Sequence, residues 1–284
     1  MSSMTDPNDR GRLARTLLKA DGLILSAGAG MGVDSGLPDF RGTDGFWQAY
    51  PSLGRSGIRF EEIANPGAFH DDPRLAWGFY GHRLVLYRNT LPHEGFGALL
   101  ELSALYRHGS FVFTSNVDGQ FQKAGFGEDR IVECHGSIHT LQCLENCRTL
   151  LWSAEDFHPD IDQNSGRLLS PLPRCPRCGA LARPNILMFG DDGWNDTRTR
   201  AQETRFWNWK RKVSRPVVIE TGAGMAIPTV RLFGEAQRAP LIRINPRQWQ
   251  TDRADDISLP LGARDGIRLL LQAIREEENS GQSH

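Results

Sequence analysis

The amino-acid sequence predicts an α/β fold, a doubly wound parallel sheet of the Rossmann-like type with a smaller lobe attached. Three observations support this class. Short apolar runs alternate along the chain with segments of helical periodicity, which is typical of parallel strands connected by helices. A glycine-rich turn directly follows the first apolar run, at residues 28–30. Two segments that lack the alternation, 43–93 and 141–180, interrupt it and are expected to form the smaller lobe.

The predicted strands are short and apolar, as expected for strands buried on both faces of a parallel sheet. They are Leu23–Ser26, Phe111–Thr114, Ile131–Cys134, Pro216–Glu220 and Leu241–Ile244, with Ile186–Phe189 as a further strand. The predicted helices carry apolar residues at spacings of three and four. They are Arg12–Lys19, Leu75–Arg88, Phe96–Arg107, Pro228–Gln237 and Gly266–Glu276. An aromatic cluster at 206–209 is interpreted as the buried face of another helix.

The alternation divides the chain into a large domain and a small one. The large, Rossmann-like domain is predicted to comprise 11–42, 94–140 and 181–278. The small domain is predicted to comprise a helical insert, 43–93, and a cysteine-bearing insert, 141–180. The polar ends, 1–10 and 279–284, are predicted to be flexible tails.

The composition is that of an ordinary globular protein, with 39% hydrophobic and 24% charged residues among 284. Lysine and arginine number 33 against 34 acidic residues, so no basic field indicates a nucleic-acid partner. No apolar run approaches the roughly 20 residues of a membrane span, so no membrane partner is expected. The N-terminus has no apolar signal-peptide core, so we expect a cytoplasmic protein. The sequence does not indicate an oligomeric state, and a monomer is the working assumption.

The cysteines indicate a metal site rather than disulfides. Their number, five, is odd, and the chain carries no export signal. Four of them form two close pairs, Cys143-x3-Cys147 and Cys175-x2-Cys178. Four thiolates suit a tetrahedral zinc ion and leave no open position for water, so the predicted role is structural. Two unrelated pairs of free thiols are the alternative, and Cys134 is expected to fill core volume.

The turn Gly28-Ala29-Gly30 ends the apolar run 22–27. Glycine lacks the Cβ that would block a close approach, so backbone N–H groups here are able to reach a diphosphate. The glycines match the dinucleotide pattern G-x-G-x-x-G only in part, because Val33 stands where the last glycine is expected. From the glycines alone, an ordinary strand-to-helix turn is the competing interpretation.

Polar side chains follow three of the predicted strands. Asn116 and Asp118 follow one strand, His135 follows the next, and Asn245 follows a third. In open α/β sheets the ligand lies beyond the carboxyl ends of the strands, so these side chains are expected to converge near the glycine turn. Taken singly, Asn116 and Asp118 fit a turn or a helix cap, and His135 fits a core histidine.

The segment 28–42 continues from the turn into Ser-Gly-Leu-Pro-Asp-Phe-Arg-Gly. It resembles the first motif of the sirtuin family, G-A-G-(I/M)-S-x-x-S-G-I-P-x-F-R-G, with Gly32 at the usual serine. Later sirtuin motifs are matched in the same order, and the resemblance covers about residues 22–246. The matches are N-x-D at 116–118, H-G at 135–136, the two cysteine pairs, F-G at 189–190, a glycine-rich strand end at 221–223, and I-N at 244–245.

Sirtuins consume NAD, and the resemblance implies an NAD-dependent protein-lysine deacylase with a structural zinc ion. The acyl oxygen of an acylated lysine attacks the ribose carbon that bears nicotinamide, nicotinamide leaves, and the acyl group ends on ADP-ribose. The resemblance implies that His135 is the general base and that Asn116 and Asp118 hold the nicotinamide end. It also implies that Phe189 and Gly190 line the channel for the acylated lysine of a protein partner.

The resemblance further implies a cofactor site around the glycine turn. Phe40 would shield the ribose carbon from water, and Arg41 would support the diphosphate. The implied cofactor-binding residues are Ala27, Gly28, Ala29, Gly30, Asp34, Phe40, Arg41, Ser115, Asn116, Asp118, Gly222, Ala223 and Asn245.

Some positions near the expected cofactor and substrate sites depart from the family pattern. Ser115 replaces a glutamine and is too short to make the same ribose contact, and Asp191 replaces a glutamate. The segment 221–224, Thr-Gly-Ala-Gly, stands where Gly-Thr-Ser is usual. Two alternatives therefore stay open. One is an NAD-dependent protein ADP-ribosyltransferase or NAD hydrolase on the same fold, and the other is a non-enzymatic NAD-sensing module.

Overall fold

The computed structural model describes residues 7–39, 42–147 and 150–281. Phe40 and Arg41, which the resemblance assigns to the cofactor site, lie outside the described residues. The helices are α1 (Pro7–Leu18), α2 (Gly42–Ala49), α3 (Pro51–Arg55), α4 (Phe60–Ile63), α5 (Pro66–Asp71), α6 (Pro73–Asn89), α7 (Glu94–Ala104), α8 (Gln120–Lys123), α9 (Thr197–Lys210), α10 (Thr229–Ala236) and α11 (Ala263–Gly281). The strands are β1 (Gly22–Ala27), β2 (Ser110–Thr114), β3 (Ile131–Glu133), β4 (Gly136–Cys143), β5 (Leu151–Ser153), β6 (Ala182–Ile186), β7 (Pro216–Thr221), β8 (Leu241–Ile244) and β9 (Ile257–Leu259).

Within the described residues, six strands form a parallel sheet in the order β3-β2-β1-β7-β8-β9. Strand β1 lies in the middle, with Leu25 opposite Val112 of β2 and Ile219 of β7. The chain winds outward in opposite directions from β1 and β7, which opens a crevice beyond their carboxyl ends. The predicted class, a doubly wound α/β fold with a smaller lobe, is confirmed.

Helices cover both faces of this sheet. Because side chains alternate along each strand, neighbouring residues of one strand lie in the cores of opposite faces. Leu25 of β1 lies in an apolar core with residues of α1, α7 and α11. Its neighbour Ile24 lies on the opposite face, in a core with residues of α9 and α10. The aromatic cluster at 206–209 is part of α9, where Phe206 and Trp209 are buried and Trp207 is 51% exposed. The interpretation of this cluster as a helix face is therefore confirmed.

The small lobe has a core that helices α2–α6 share with the antiparallel sheet β5-β4-β6. Phe46 and Trp77 of the helices are buried there with Ile138 and Leu141 of β4. Trp77 Nε1 also donates to Ala182 O of β6 at 2.8 Å. The two segments that interrupt the alternation thus fold against each other, and the precise domain boundaries stay a prediction.

One predicted strand is wrong. The segment Ile186–Phe189 does not join the parallel sheet, because the strand in this region is β6, which ends earlier and pairs antiparallel with β4. After β6, Phe189 N donates to Ala64 O at 2.9 Å, and Met188 N donates to the Asp191 carboxylate at 3.2 Å. Backbone groups used in this way are unavailable to a neighbouring strand.

The ends of the described chain are helical and lie together. Leu13 of α1 and Ile274 of α11 share the same core, and Arg10 Nη1 pairs with Glu276 Oε1 at 2.9 Å. Parts of both predicted tails, 7–10 and 279–281, therefore belong to helices. Across the described helices, none is both long and apolar enough to cross a membrane.

The loops that follow β1 and β7 contact each other through glycine backbone. Gly30 N donates to Gly222 O, and Gly28 N donates to Thr221 O, both at 3.0 Å. A Cβ on Gly28 would lie 2.8 Å from Ala223 Cα, and a Cβ on Gly30 would lie 2.7 Å from Gly222 Cα. Gly222 also has a φ of +63°, which residues with a Cβ rarely adopt. Contact between the two loops therefore requires these glycines.

We predict that Gly222→Ala lowers the free energy of unfolding by more than about 2 kcal/mol. The left-handed conformation alone costs roughly 1–2 kcal/mol for an L-residue. In addition, the new Cβ overlaps the backbone of Gly30 and Met31. Urea unfolding followed by circular dichroism gives the comparison with the wild type.

Two glycines provide matched controls for Gly222→Ala. Gly36 has a φ of +84° with no atom within 4 Å of its Cβ position, so Gly36→Ala isolates the conformational strain. Gly224 lacks both the contact and the positive φ, so Gly224→Ala should stay within about 0.5 kcal/mol of the wild type. Equal effects of all three substitutions would contradict the proposed role of the loop contact.

Candidate active site

The loops that carry the predicted catalytic residues leave neighbouring strands at one edge of the sheet. Ala27 at the end of β1 lies beside Thr114 at the end of β2. Thr114 Oγ1 and Ser115 N donate to Ala27 O at 2.9 and 3.2 Å, and Cys134 N donates to Thr114 O at 2.9 Å. The loops after β1, β2 and β3 therefore start side by side.

Asn116 is attached directly to the glycine turn. Its Nδ2 donates to Gly28 O at 3.1 Å, and its backbone N donates to Thr114 Oγ1 at 3.0 Å. The loop is also tied to the small lobe, because Ile138 N of β4 donates to Val117 O at 3.0 Å. Asn116 thus lies between the two lobes, next to the turn where the cofactor is expected.

Asp118 is a buried carboxyl group with 9% of its surface exposed. Its Oδ1 accepts from Gln120 N at 2.9 Å. Burial raises the pKa of Asp118 to about 6, and the nearby Glu133 carboxylate contributes to the rise, whereas the Gln120 N–H and Arg83 oppose it. Both protonation states of this side chain are therefore accessible close to neutral pH, as is common at functional sites.

His135 follows β3 and is half-buried. Burial lowers the pKa of His135, so its imidazole is neutral at pH 7 and is able to accept a proton. His135 O accepts from Leu187 N at 2.9 Å. The next residue, Gly136, has a φ of +79° and lies so close to Asn185 O that a Cβ would overlap it. These contacts fix the backbone on which the imidazole is carried.

Two further predicted cofactor-binding side chains, those of Asp34 and Asn245, also have structural partners. Asp34 Oδ2 accepts from Arg264 N at 2.8 Å, at the start of α11. Asn245 Nδ2 donates to Ala223 O at 3.0 Å, and its Oδ1 accepts from Gln248 N at 2.9 Å. Both side chains order loops at the carboxyl edge of the sheet, and a direct cofactor contact by either one stays a prediction.

The glycine turn fits the diphosphate of a nucleotide. In the described residues, the N–H of Ala29 has no hydrogen-bond acceptor, and Ala29 is exposed. The flanking Gly28 and Gly30 present no side chain that would block an approach to this N–H. Gly222 and Ala223, which follow β7, complete the same edge. An exposed N–H in such a turn is a suitable donor to a phosphate oxygen.

Phe189 and Gly190 lie on the loop between β6 and α9, at the boundary between the small sheet and the helices of the small lobe. Phe189 is 36% exposed, and its ring meets the ring of Phe60 edge-to-face at 5.8 Å between centroids. Gly190 has a φ of +61°, and its Cβ position is 3.6 Å from Asn65 Nδ2. Their role in a substrate channel stays a prediction.

The Asp191 side chain points into the protein interior. Its side chain is fully buried and pairs with buried Arg183 through two hydrogen bonds of 2.7 Å each. Asp191 also accepts from Met188 N and Gly193 N, both at 3.2 Å. Asp191, which departs from the family pattern near the expected substrate channel, is therefore an internal anchor of the loop 187–195. Sequence reasoning missed Arg183, because a single arginine gives no signal of burial.

The four paired cysteines lie together. The Sγ atoms of Cys143 and Cys178 are 3.7 Å apart, as are those of Cys147 and Cys175, and all four lie within 4.8 Å of one another. Sulfur atoms about 2.3 Å from a tetrahedral zinc ion are about 3.8 Å apart, so the arrangement fits zinc. Cys134 lies outside this group and is partly buried beside the core of α9 and α10.

A cavity of about 660 Å³ lies behind Asp118, between α8 and the sheet of the small lobe. Its wall includes His139, whose Nε2 is 3.0 Å from Asp118 O. The His139 ring also occupies the space next to Gly119, where a Cβ would lie 2.8 Å from Cδ2. His139 thus contacts the backbone of Asp118 and packs against Gly119, which fixes the end of the Asn116–Asp118 loop. No sequence motif pointed to His139.

The fold and the site define a class of α/β proteins with a glycine turn at the switch point of the sheet and a four-cysteine lobe. The model of the Sir2 family matches residues 28–208, and the chain belongs to this family. A protein from Thermus thermophilus called NAD-dependent protein deacylase is 30% identical over 276 residues, which are 94% of this chain and 96% of the relative. Its counterpart from Aquifex aeolicus is 28% identical over 260 residues, 91% and 97% of the two chains.

Solved structures of Sir2 proteins have the same fold. A Sir2 homologue in complex with NAD superposes with a TM-score of 0.68 at 27% identity, covering 93% of each chain. A mutant Sir2 homologue in complex with ADP-ribose gives a TM-score of 0.68 at 26% identity, covering 94% of this chain and 97% of the other. The sirtuin resemblance of the sequence is therefore confirmed.

We predict that the purified protein holds one zinc ion per chain, measured by plasma mass spectrometry. Cys175→Ser should remove the ion and lower the melting temperature, because three thiolates bind zinc less tightly and the insert folds around the metal. Cys134→Ser is the matched control and should keep the ion, since Cys134 lies outside the cluster. Retention of stoichiometric zinc by Cys175→Ser would contradict the assignment.

We predict that Asp118→Asn stabilises the protein above pH 6. The folded-state pKa of Asp118 is about 6, above its ordinary value of 3.8, so ionisation destabilises the folded protein as pH rises through this window. At pH 7.5 the variant should be more stable by on the order of 2 kcal/mol, and below pH 4 the difference should vanish. Asp162→Asn is the control with the opposite sign, because hydrogen bonds hold the pKa of Asp162 below its ordinary value. Unfolding by urea across about pH 3–8 tests both expectations.

Proposed function

We propose that the protein is an NAD-dependent protein-lysine deacylase that transfers the acyl group to ADP-ribose and releases nicotinamide. The observation that carries this proposal is the meeting of the loops of Asn116, Asp118 and His135 with the glycine turn at one edge of the sheet. Membership of the Sir2 family and the deacylase names of the relatives support it.

Each residue of the site has a separate role in the proposed reaction. Bound NAD supplies the ribose carbon that the acyl oxygen attacks and the nicotinamide that leaves. Neutral His135 accepts a proton from a ribose hydroxyl after nicotinamide has left. The Asn116 amide and the Asp118 carboxyl hold the nicotinamide end, and a carboxylate there stabilises the positive charge that develops on the sugar. The Ala29 N–H binds the diphosphate.

The four thiolates of the small lobe would hold zinc away from this chemistry. Cys143 ends β4, and β4 begins directly after His135. With four protein ligands the ion has no position for substrate or water, so its contribution is to keep the lobe folded. The protein substrate presents its acylated lysine between the lobes, next to Phe189.

An ADP-ribosyltransferase or NAD hydrolase on the same fold stays the second candidate, because Ser115 replaces the family's glutamine next to Asn116. The argument from Asp191 no longer supports it, since that carboxylate is buried in an ion pair. The third candidate, a non-enzymatic NAD-sensing module, requires that bound NAD survives. Both differ from a deacylase in their products.

Mass spectrometry of the products decides between these functions. The protein is mixed with NAD and with peptides that carry acetyl, propionyl, succinyl or longer acyl-lysines. A deacylase releases nicotinamide and O-acyl-ADP-ribose only when an acylated peptide is present. Nicotinamide release without any acylated peptide would instead support hydrolysis or ADP-ribosyl transfer, and intact NAD throughout would support the sensing module.

We predict that His135→Ala lowers kcat by about 10²–10⁴-fold, the usual contribution of a general base. The pKa of His135 is lowered by burial, so the wild type should stay active below pH 6.5 and lose activity only as the imidazole becomes protonated. The profile of kcat against pH tests this directly. Exposed His158 provides the matched control, and equal losses in His158→Ala and His135→Ala would refute the assignment of the base.

A further inference from the structure

The loop 187–195 is held by amide side chains of the cysteine-bearing lobe. Gln142 of β4, which is 1% exposed, donates through Nε2 to Gly193 O at 2.8 Å. Its Oε1 accepts from Asn185 Nδ2 at 2.8 Å and from Asn195 N at 3.1 Å. Asn146 Nδ2 donates to the same Gly193 O at 2.8 Å. One carbonyl of the loop is therefore bound by two amides from the neighbouring lobe.

Asn146 lies in the turn between Cys143 and Cys147, the pair that is one residue longer than the common C-x2-C. Its φ is +45°, a left-handed conformation that asparagine adopts more readily than most residues with a Cβ. The turn is tied to its own strand as well, because Gln142 Nε2 lies 3.3 Å from Asn146 Oδ1. The longer cysteine turn thus places an amide within reach of the loop.

The same loop contacts His135, the helical insert and the protein interior. At its start, Leu187 N donates to His135 O at 2.9 Å. Phe189 N donates to Ala64 O of the helical insert at 2.9 Å. Further along, Asp191 fixes the loop to Arg183 in the interior. The Asp191 carboxylate accepts from both Gly193 N and Met188 N, so a shift at Gly193 is expected to reach Phe189 and Gly190 through this carboxylate.

We propose that Asn146 and Gln142 are positioning residues that hold Phe189 and Gly190 in place for the acylated lysine. This inference rests on the proposed function, in which that loop lines the lysine channel. The glycine contacts between the loops after β1 and β7 do not involve this network. The two amides therefore set the affinity for the acylated peptide and leave the affinity for NAD unchanged.

Asn146→Gly is the variant that tests this role. Glycine keeps the left-handed backbone and removes only the amide, so the cysteine turn is expected to fold. Binding of a fluorescein-labelled acetyl-lysine peptide should weaken by about two- to tenfold, the effect of losing one neutral hydrogen bond. The KM for NAD should be unchanged, the zinc content should stay at one ion per chain, and amide hydrogens of 187–195 should exchange faster.

Two further variants complete the experiment. Asn146→Asp keeps the size of the side chain but replaces the donor with an acceptor, so it should weaken peptide binding at least as much as Asn146→Gly. Asn164→Gly, in an exposed turn of the same insert, should leave peptide binding and exchange unchanged.

Three results would overturn the inference: unchanged peptide affinity in Asn146→Gly, wild-type behaviour of Asn146→Asp, or a loss of affinity that occurs only together with loss of zinc. Failure of the proposed function has a different signature, because the wild type would then bind no acylated peptide. Even if the proposed function fails, hydrogen exchange of the backbone amides of 187–195 still tests whether Asn146 holds the loop. Exchange in Asn146→Gly at the wild-type rate would show that it does not.

Discussion

The backbone contact between the loops after β1 and β7 is the constraint on which the site depends. Gly28, Gly30 and Gly222 allow these loops to approach within hydrogen-bond distance at the switch point of the sheet. Two asparagines then hold the two sides of the junction: Asn116 donates to Gly28 O, and Asn245 donates to Ala223 O. The glycine turn and its amide partners are therefore one structural unit, and this unit is where we propose that the nucleotide binds.

The small lobe is connected to this unit through one strand. β4 begins at Gly136, directly after His135, and ends at Cys143 in the metal cluster. Between these ends, His139 supports Asp118 and Gln142 holds the loop of Phe189. One strand thus runs from the cysteine cluster past the Asp118 loop and the Phe189 loop, which we propose hold the nicotinamide end and the acylated lysine.

Much of the fold could be predicted because its signals are local. The apolar runs of β1, β2, β7 and β8 and the periodicity of α6 are visible in the sequence alone, and the cysteine pairs mark the insert. The strand β9 spans only 257–259, too short for a pattern. Ile186–Phe189 is as apolar as a parallel strand, but its backbone is bound by two residues outside the run. Ala64 is distant in sequence, and Asp191 follows the run by two residues. Likewise, the contact of His139 with Asp118 O forms only when the small lobe packs against the large domain, and sequence periodicity does not predict this packing.

The departures from the family pattern have different physical meanings once their surroundings are known. Gly32 replaces a serine where a Cβ would lie 3.1 Å from Leu37 Cδ1, and Leu37 is buried in the core of the small lobe. A larger residue at 32 therefore requires Leu37 to move, so the glycine fits the packing of this chain. Asp191 is explained by its ion pair with Arg183. Nothing in the structure explains Ser115, which lies half-buried beside Asn116 at the cofactor edge. A different ribose contact at Ser115 therefore stays a prediction, whereas Gly32 and Asp191 are accounted for by packing and by an ion pair.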